Sequence, residues 1–168
     1  HGPPVYVRMG AGPAAAEEAS KRGDVVVVVD ALRASTTIAS ALAAGAREVR
    51  AVSTVEECVG EVTAAERGGV KVPAADLDNS PLSMANADLH GKSLVITTTN
   101  GADCILAAAS DPGARVFVGA MANATAVAQA ASVLARLTSR GITVVSAGRR
   151  GLPAEEDDLS ASEIVLSL

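Results

Sequence analysis

Asp30, Arg33, Ser35, Thr36 and Thr37 follow directly on the run Val25 to Val29, and their types suit the binding of an oxyanion together with a divalent cation. The first turn of a helix leaves N–H groups unpaired and carries the positive end of the helix dipole, so phosphates and sulfonates collect there. Arg33 adds a planar charged fork that matches such oxyanions. The three hydroxyls can cap the turn or bond to the anion itself. Asp30 has the wrong sign for an anion and the hard oxygen donors that Mg²⁺ prefers. One acid and one base beside an anion cradle point to metal-assisted phosphoryl chemistry. The same residues also have plain structural roles, as a strand end, a solvated arginine and ordinary caps, because α/β proteins contain many such junctions.

Three further groups repeat the theme. Asp78-Asn79-Ser80-Pro81 offers an N-cap, Asn79 or Ser80, followed by a proline suited to a first helical turn. Thr97-Thr98-Thr99-Asn100-Gly101 puts three hydroxyls at a strand end before a turn that directs backbone N–H groups outward. Gly148-Arg149-Arg150-Gly151 can clamp an oxyanion, and Glu155-Glu156-Asp157-Asp158 at a helix start can hold Mg²⁺ or simply complement the dipole. In open α/β sheets the ligand crevice lies outside the carboxyl ends of the strands, where all four groups are expected.

The elements that must position these residues alternate between strand-length apolar runs and longer stretches of helical period, the signature of an α/β layered domain. Strands are expected at Val5 to Arg8, Val25 to Val29, Glu48 to Val52, Val70 to Val72, Ser93 to Thr97, Arg115 to Val118 and Thr143 to Ser146. Helices are expected at Ala14 to Arg22, Ser35 to Ala44, Thr54 to Arg67, Gly101 to Ser110, Ala122 to Arg140 and Asp157 to Leu168. Thr54 and Glu57 form the capping box of the third of these. The last helix meets no stop signal, which predicts a chain shorter than its relatives. His1 and Gly2 read as an expression remnant with no part in the fold.

Composition narrows the function classes. The 168 residues suffice for one domain, here 1–168, and 49% are hydrophobic, chiefly Ala and Val, with one Phe, one Tyr and no Trp. Base stacking on aromatic rings is therefore nearly excluded. A net charge of −5 without a polybasic stripe argues against nucleic acid or an anionic membrane as partner. Acidic substrates must then be met by local arginines. No apolar run approaches the roughly 20 residues of a membrane span, and a cytoplasmic protein is the expectation. Cys58 and Cys104, both placed in helices, lack a CxxC pattern and read as free thiols, and His90 reads as a loop residue.

Taken in order, VVVDALRASTTIASALAAGA, AERGGVKVPAADLDNSP, GKSLVITTTNGA, Asn123-Ala124 and AGRRG with its following acids resemble the 2-phosphosulfolactate phosphatase family of coenzyme M biosynthesis. The resemblance runs from about Val25 to Val165. It implies a three-layer α/β/α fold with a mixed, mostly parallel sheet and Mg²⁺-dependent hydrolysis of 2-phosphosulfolactate to sulfolactate and phosphate. On that reading Asp30, Arg33 and Asp157 are catalytic, and Asp30, Glu156 and Asp157 hold Mg²⁺. Substrate contacts come from Ser35, Thr36, Thr37, Asn79, Ser80, Thr98, Thr99, Asn100, Gly101, Asn123, Arg149 and Arg150. The partner is a small phosphorylated anion, and a homodimer is left open. The chain departs from the family at Ala65 before Glu66, at Ala74 and Ala75, at Ala102 after the Asn-Gly turn and at Ser162, and the family's C-terminal part is expected to be missing. The rival readings are a phosphatase for another small organic phosphate and a non-catalytic anion-binding relative. A receiver-like domain is disfavoured, for want of its acidic pair and late lysine.

Overall fold

The computed structural model describes residues 4–30, 33–99, 101–148 and 154–168. Its centre is β2 (Val25–Val29), five valines with no exposed surface, flanked on both sides by parallel neighbours. Such a run suits a strand because β-branched side chains pack well on a pleated surface, and burial on both faces removes the need for alternation. Each buried valine contributes roughly 1.5–3 kcal/mol of transfer free energy. The first sheet is all parallel in the order β1 (Val7–Ala11), β8 (Ile142–Ser146), β2, β7 (Arg115–Gly119). Helices α5 (Ala124–Thr138) and α6 (Glu155–Leu166) pack on one face, over Val25, Val27 and Val29. On the other face, over Val26 and Val28, lie α1 (Gly12–Lys21) and α4 (Gly101–Ala108). This is the layered α/β arrangement that the alternating pattern predicts.

A second sheet has the order β3 (Glu48–Ala51), β6 (Ser93–Thr97), β4 (Val62–Arg67), β5 (Val70–Lys71), with only the β4–β5 pair antiparallel. Its core of Ala64, Leu94 and Ile96 packs against α2 (Ala34–Ala43) and α3 (Pro81–Asn86). The strands thus divide into two sheets, with the core of the second closed by the helix that follows β2.

The helix expected over Thr54 to Arg67 is not formed. The capping box is there: Glu57 accepts from the N–H groups of Ser53 and Thr54 at 3.2 Å, and Thr54 Oγ1 accepts from Glu57 N–H. It closes only a turn, and the following VTAAER becomes β4 because tertiary pairing with β6 outweighs the helix propensity of Ala and Glu. Gly68 and Gly69, both at positive φ, then make a two-residue hairpin turn into β5. Cys58 consequently sits in the turn segment, while Cys104 lies in α4 as expected, and both thiols are free. Among the described residues no helix is long and apolar enough to cross a membrane.

Candidate active site

Every group singled out from the sequence that falls within the described residues lies just past a strand's carboxyl end or at the helix start that follows. Asp30 follows β2 and is 5% exposed. Its N–H donates to Ser35 Oγ at 2.8 Å, Ser35 N–H returns a bond to its carbonyl at 3.0 Å, and Ser35 Oγ also reaches the Val28 carbonyl. Ser35 therefore locks the strand-to-helix turn from a fully buried position. Arg33 is the N-cap residue of α2 and is half-buried, Thr36 is half-buried and partnered, and Thr37 is sealed with its hydroxyl unpaired among the described residues.

Asp157, in the first turn of α6, is buried and accepts from the Gly148 N–H at 2.9 Å, which ties the helix start to the end of β8. Glu156 beside it is half-buried. Four acids in that turn complement the helix dipole, but Asp157 also acts on Asp30. Burial first, then the charge of Asp157, and after them Glu66 and Glu156, push the Asp30 carboxyl from its ordinary value near 3.8 up to about 7. A hydrogen bond from the Ala34 backbone pulls the other way. Cys104 lies under the same charges, and burial with Asp30, Asp103 and Asp157 pushes its thiol up to about 12, so it is an inert floor and not a nucleophile.

Glu66 was read from the sequence only as a motif residue and given no role in the site, because its segment reads as helix. On β4 it is 6% exposed, accepts from Thr99 Oγ1 at 3.0 Å and from the Gly69 N–H, while Thr99 Oγ1 accepts from Gly68 N–H. The signal was available: an apolar run, a Gly-Gly pair and a second apolar run make a hairpin pattern that would set Glu66 beside the turn. Arg67 turns elsewhere, donating to Thr97 Oγ1 at 2.9 Å and to the Ser53 and Glu66 carbonyls.

Asn79 and Thr98 are 3% and 7% exposed, and among the described residues the Asn79 Oδ1 and Thr98 Oγ1 atoms have no hydrogen-bond partner, nor does Oδ1 of the half-buried Asp78. Ser80 caps α3, its Oγ accepting from Ser83 N–H at 3.5 Å. Gly101 opens α4. Asn123 is engaged at the end of β7, where Oδ1 accepts from Ala120 N–H at 2.7 Å and Nδ2 donates to the Val118 carbonyl, a brace for that turn. Asn100, Arg149 and Arg150 lie outside the described residues.

Buried polar atoms are normally paired, so the Asp78 Oδ1, Asn79 Oδ1 and Thr98 Oγ1 atoms are groups whose bonding the described residues leave incomplete. The donor set also fits a hard cation, since carboxylates crowded enough to hold one near neutrality are relieved by a divalent charge. Among the described residues no three His, Cys, Asp or Glu side chains are grouped to enclose a metal ion. The Asp30–Asp157 pair is what suits Mg²⁺, which commonly takes one or two carboxylates and completes its shell with water and substrate phosphate.

The fold and these residues define an α/β protein with carboxylate and hydroxyl groups gathered past the carboxyl ends of its strands. The chain belongs to the 2-phosphosulpholactate phosphatase family, whose model matches residues 13–168. It is 45% identical over 111 residues to a probable 2-phosphosulfolactate phosphatase of Carboxydothermus hydrogenoformans, covering 61% of this chain and 44% of the relative. Another, from Deinococcus radiodurans, is 38% identical over 148 residues, with 84% and 60% covered. One from Caldanaerobacter subterraneus is 36% identical over 149 residues, with 83% and 59% covered. The chain therefore spans 60% or less of the length of these relatives.

Proposed function

We propose that the protein is a Mg²⁺-dependent phosphatase that hydrolyses the phosphate monoester of a small hydroxy acid, with 2-phosphosulfolactate, giving sulfolactate and phosphate, as the reference substrate. The observation that carries this reading is the buried carboxylate centre of Asp30 beside Asp157, set among helix N-termini and hydroxyls that suit an oxyanion. Asp30 and Asp157 would hold the ion, with Glu156 at the rim. Mg²⁺, when bound, supplies Lewis acidity at the phosphoryl oxygens and offsets the charge that develops there. The chain's own groups do the remainder. The first turn of α4 would offer N–H groups to the phosphate, and Arg33 a cation at the start of α2, whose Ala34 and Ser35 N–H groups are spent on Asp30. Ser35 keeps the Asp30 backbone fixed, so the carboxylate is positioned before substrate arrives. The sulfolactate-forming step of coenzyme M biosynthesis is the setting to which the family resemblance points.

The test is phosphate release from 2-phosphosulfolactate and a panel of small phosphomonoesters with Mg²⁺ or Mn²⁺, with chelator as control. The expected result is release that chelation abolishes. Absence of release across the panel with either ion overturns the reading in favour of a non-catalytic anion-binding relative.

A further inference from the structure

Glu66 is a buried acid that the fold does not neutralise. Near the end of β4 it is 6% exposed, and among the described residues no lysine or arginine forms an ion pair with it. Its neighbour Arg67 spends its guanidinium on the Ser53 and Glu66 carbonyls and on Thr97 Oγ1. Burying an acid without a cation is costly, so the position needs another reason.

The two carboxyl oxygens of Glu66 are treated differently. Oε1 accepts from Thr99 Oγ1 at 3.0 Å and from the Gly69 N–H, and Thr99 Oγ1 in turn accepts from the Gly68 N–H at 3.1 Å. The hairpin turn and the segment after β6 thus grip the side chain together. Oε2 has no partner among the described residues, yet it is not sealed in as the unpaired oxygens of Asn79 and Thr98 are. Holding one oxygen fixes the direction of the other. Thr99 stands two residues before Gly101, which opens α4, the helix start whose N–H groups suit the phosphate. Glu66 is also near enough for its charge to act on Asp30. It does not join the Asp30–Asp157 pair, because among the described residues no three acids are grouped to enclose an ion. A free carboxylate oxygen close to the phosphate and outside the metal pair suits proton transfer.

We propose that Glu66 is the general base of the reaction, its Oε2 taking a proton from the water that attacks phosphorus, with Thr99 and Gly69 as the groups that position it. This rests on the phosphatase reading and adds a catalytic residue to it. As the bond from the water oxygen to phosphorus forms, the ester P–O bond breaks and its electron pair stays on the substrate oxygen. The water proton passes to Oε2, and the leaving oxygen takes a proton from solvent. Glu66 then returns its proton to solvent.

Glu66→Gln keeps an oxygen for Thr99 and Gly69 but cannot take the proton. In Mg²⁺ its kcat for phosphate release should fall by about 10²–10³-fold with KM nearly unchanged. Calorimetry should give it the Mg²⁺ affinity of the wild type. The loss should be as large on a nitrophenyl phosphate, whose leaving group needs no proton, as on an alkyl phosphate. Thr99→Val removes the hydroxyl that holds Oε1 and should lower kcat by about tenfold through misplacement alone, again without a change in KM.

A kcat close to wild type in Glu66→Gln overturns the proposal. So does a fall in its Mg²⁺ affinity, which would make Glu66 a ligand of the ion, or a loss confined to alkyl phosphates, which would make it the acid for the leaving group. Should Glu66→Gln fail to fold, Thr99→Val decides, and either an unchanged kcat or a rise in KM at constant kcat overturns the placement. Each of these outcomes, with wild-type turnover intact, removes this inference alone. Absence of release by the wild type removes it together with the phosphatase reading.

Discussion

Two buried aspartates bracket the same five valines and have opposite surroundings. Asp24, just before β2, is 5% exposed and is met by Arg22 at 3.2 Å, by Arg8 at 3.6 Å and by the Thr143 hydroxyl at 2.7 Å. Asp30, just after β2, is equally buried but faces Asp157, Glu66 and Glu156, and its carboxyl rises to about 7. A buried carboxylate is costly unless paired. Asp24 has its partners within the fold and closes the amino end of the sheet. Asp30 has like charges instead among the described residues, a crowding that a proton or a cation relieves. The difference separates a residue that holds the structure from one held by it.

The sharpest way to break this contrast is to exchange the two roles. Asp30→Asn should lower phosphate release by about 10³-fold or more, equivalent to about 4 kcal/mol of transition-state stabilisation, without loss of the folded state. Asp24→Ala should destabilise the fold by about 3–4 kcal/mol, since it leaves two arginines around an empty buried position, while molecules that remain folded keep their turnover. Parallel phosphate assays and urea melts measure both. Equal losses of stability in the two variants, or turnover retained by Asp30→Asn, would erase the distinction.

How much of this was legible in the sequence follows the same division. The β2–α2 junction could be read because five valines, an aspartate and a hydroxyl-rich helix start are each consistent with one local structure. The Gly-Gly hairpin and the Ser80 cap also carried their signals. What the sequence concealed was the second sheet. VTAAER has the propensity of a helix and a good capping box before it, and only pairing with β6, 30 residues away in the Arg67–Thr97 contact, makes it a strand. Glu66 was hidden with it, because its place beside Thr99 and the Gly68-Gly69 turn exists only once the pairing of β4 is known. The pairing of Asp24 with Arg8, Arg22 and Thr143 is of the same long-range kind.

The pH dependence of stability sharpens the comparison. The folded Asp30 carboxyl titrates near 7, whereas in the unfolded chain it returns to about 4. Between those values the folded state binds the extra proton, so the unfolded state binds fewer and stability falls as pH rises. In metal-free protein the loss from pH 4 to 7 should be on the order of 3 kcal/mol from this group. Asp30→Asn should flatten that slope and leave the metal-free protein more stable than wild type at neutral pH. Adding Mg²⁺ should restore stability to the wild type most at the upper end of the window, where the carboxylate is charged. Thermal melts across pH 4 to 8, with and without the ion, are the measurement, and a wild-type slope unchanged by Asp30→Asn would remove Asp30 as its source.

The smallest effect tests whether the Asp30 end of β2 is held in place ahead of any ligand. Ser35 Oγ accepts the Asp30 N–H at 2.8 Å and has no exposed surface. Ser35→Ala leaves that N–H buried and unpaired, a cost of about 1–2 kcal/mol in stability. Because Ser35 is spent on the backbone, the substitution should reach catalysis only through the placement of Asp30, seen as a fall in kcat larger than any rise in KM. Ser35→Thr, which keeps the hydroxyl and adds one methyl, should recover much of kcat if the cavity accepts the added volume. A rise in KM at constant kcat would instead make Ser35 a substrate contact, and the carboxyl end of β2 would then be shaped by its ligand as much as by its own turn.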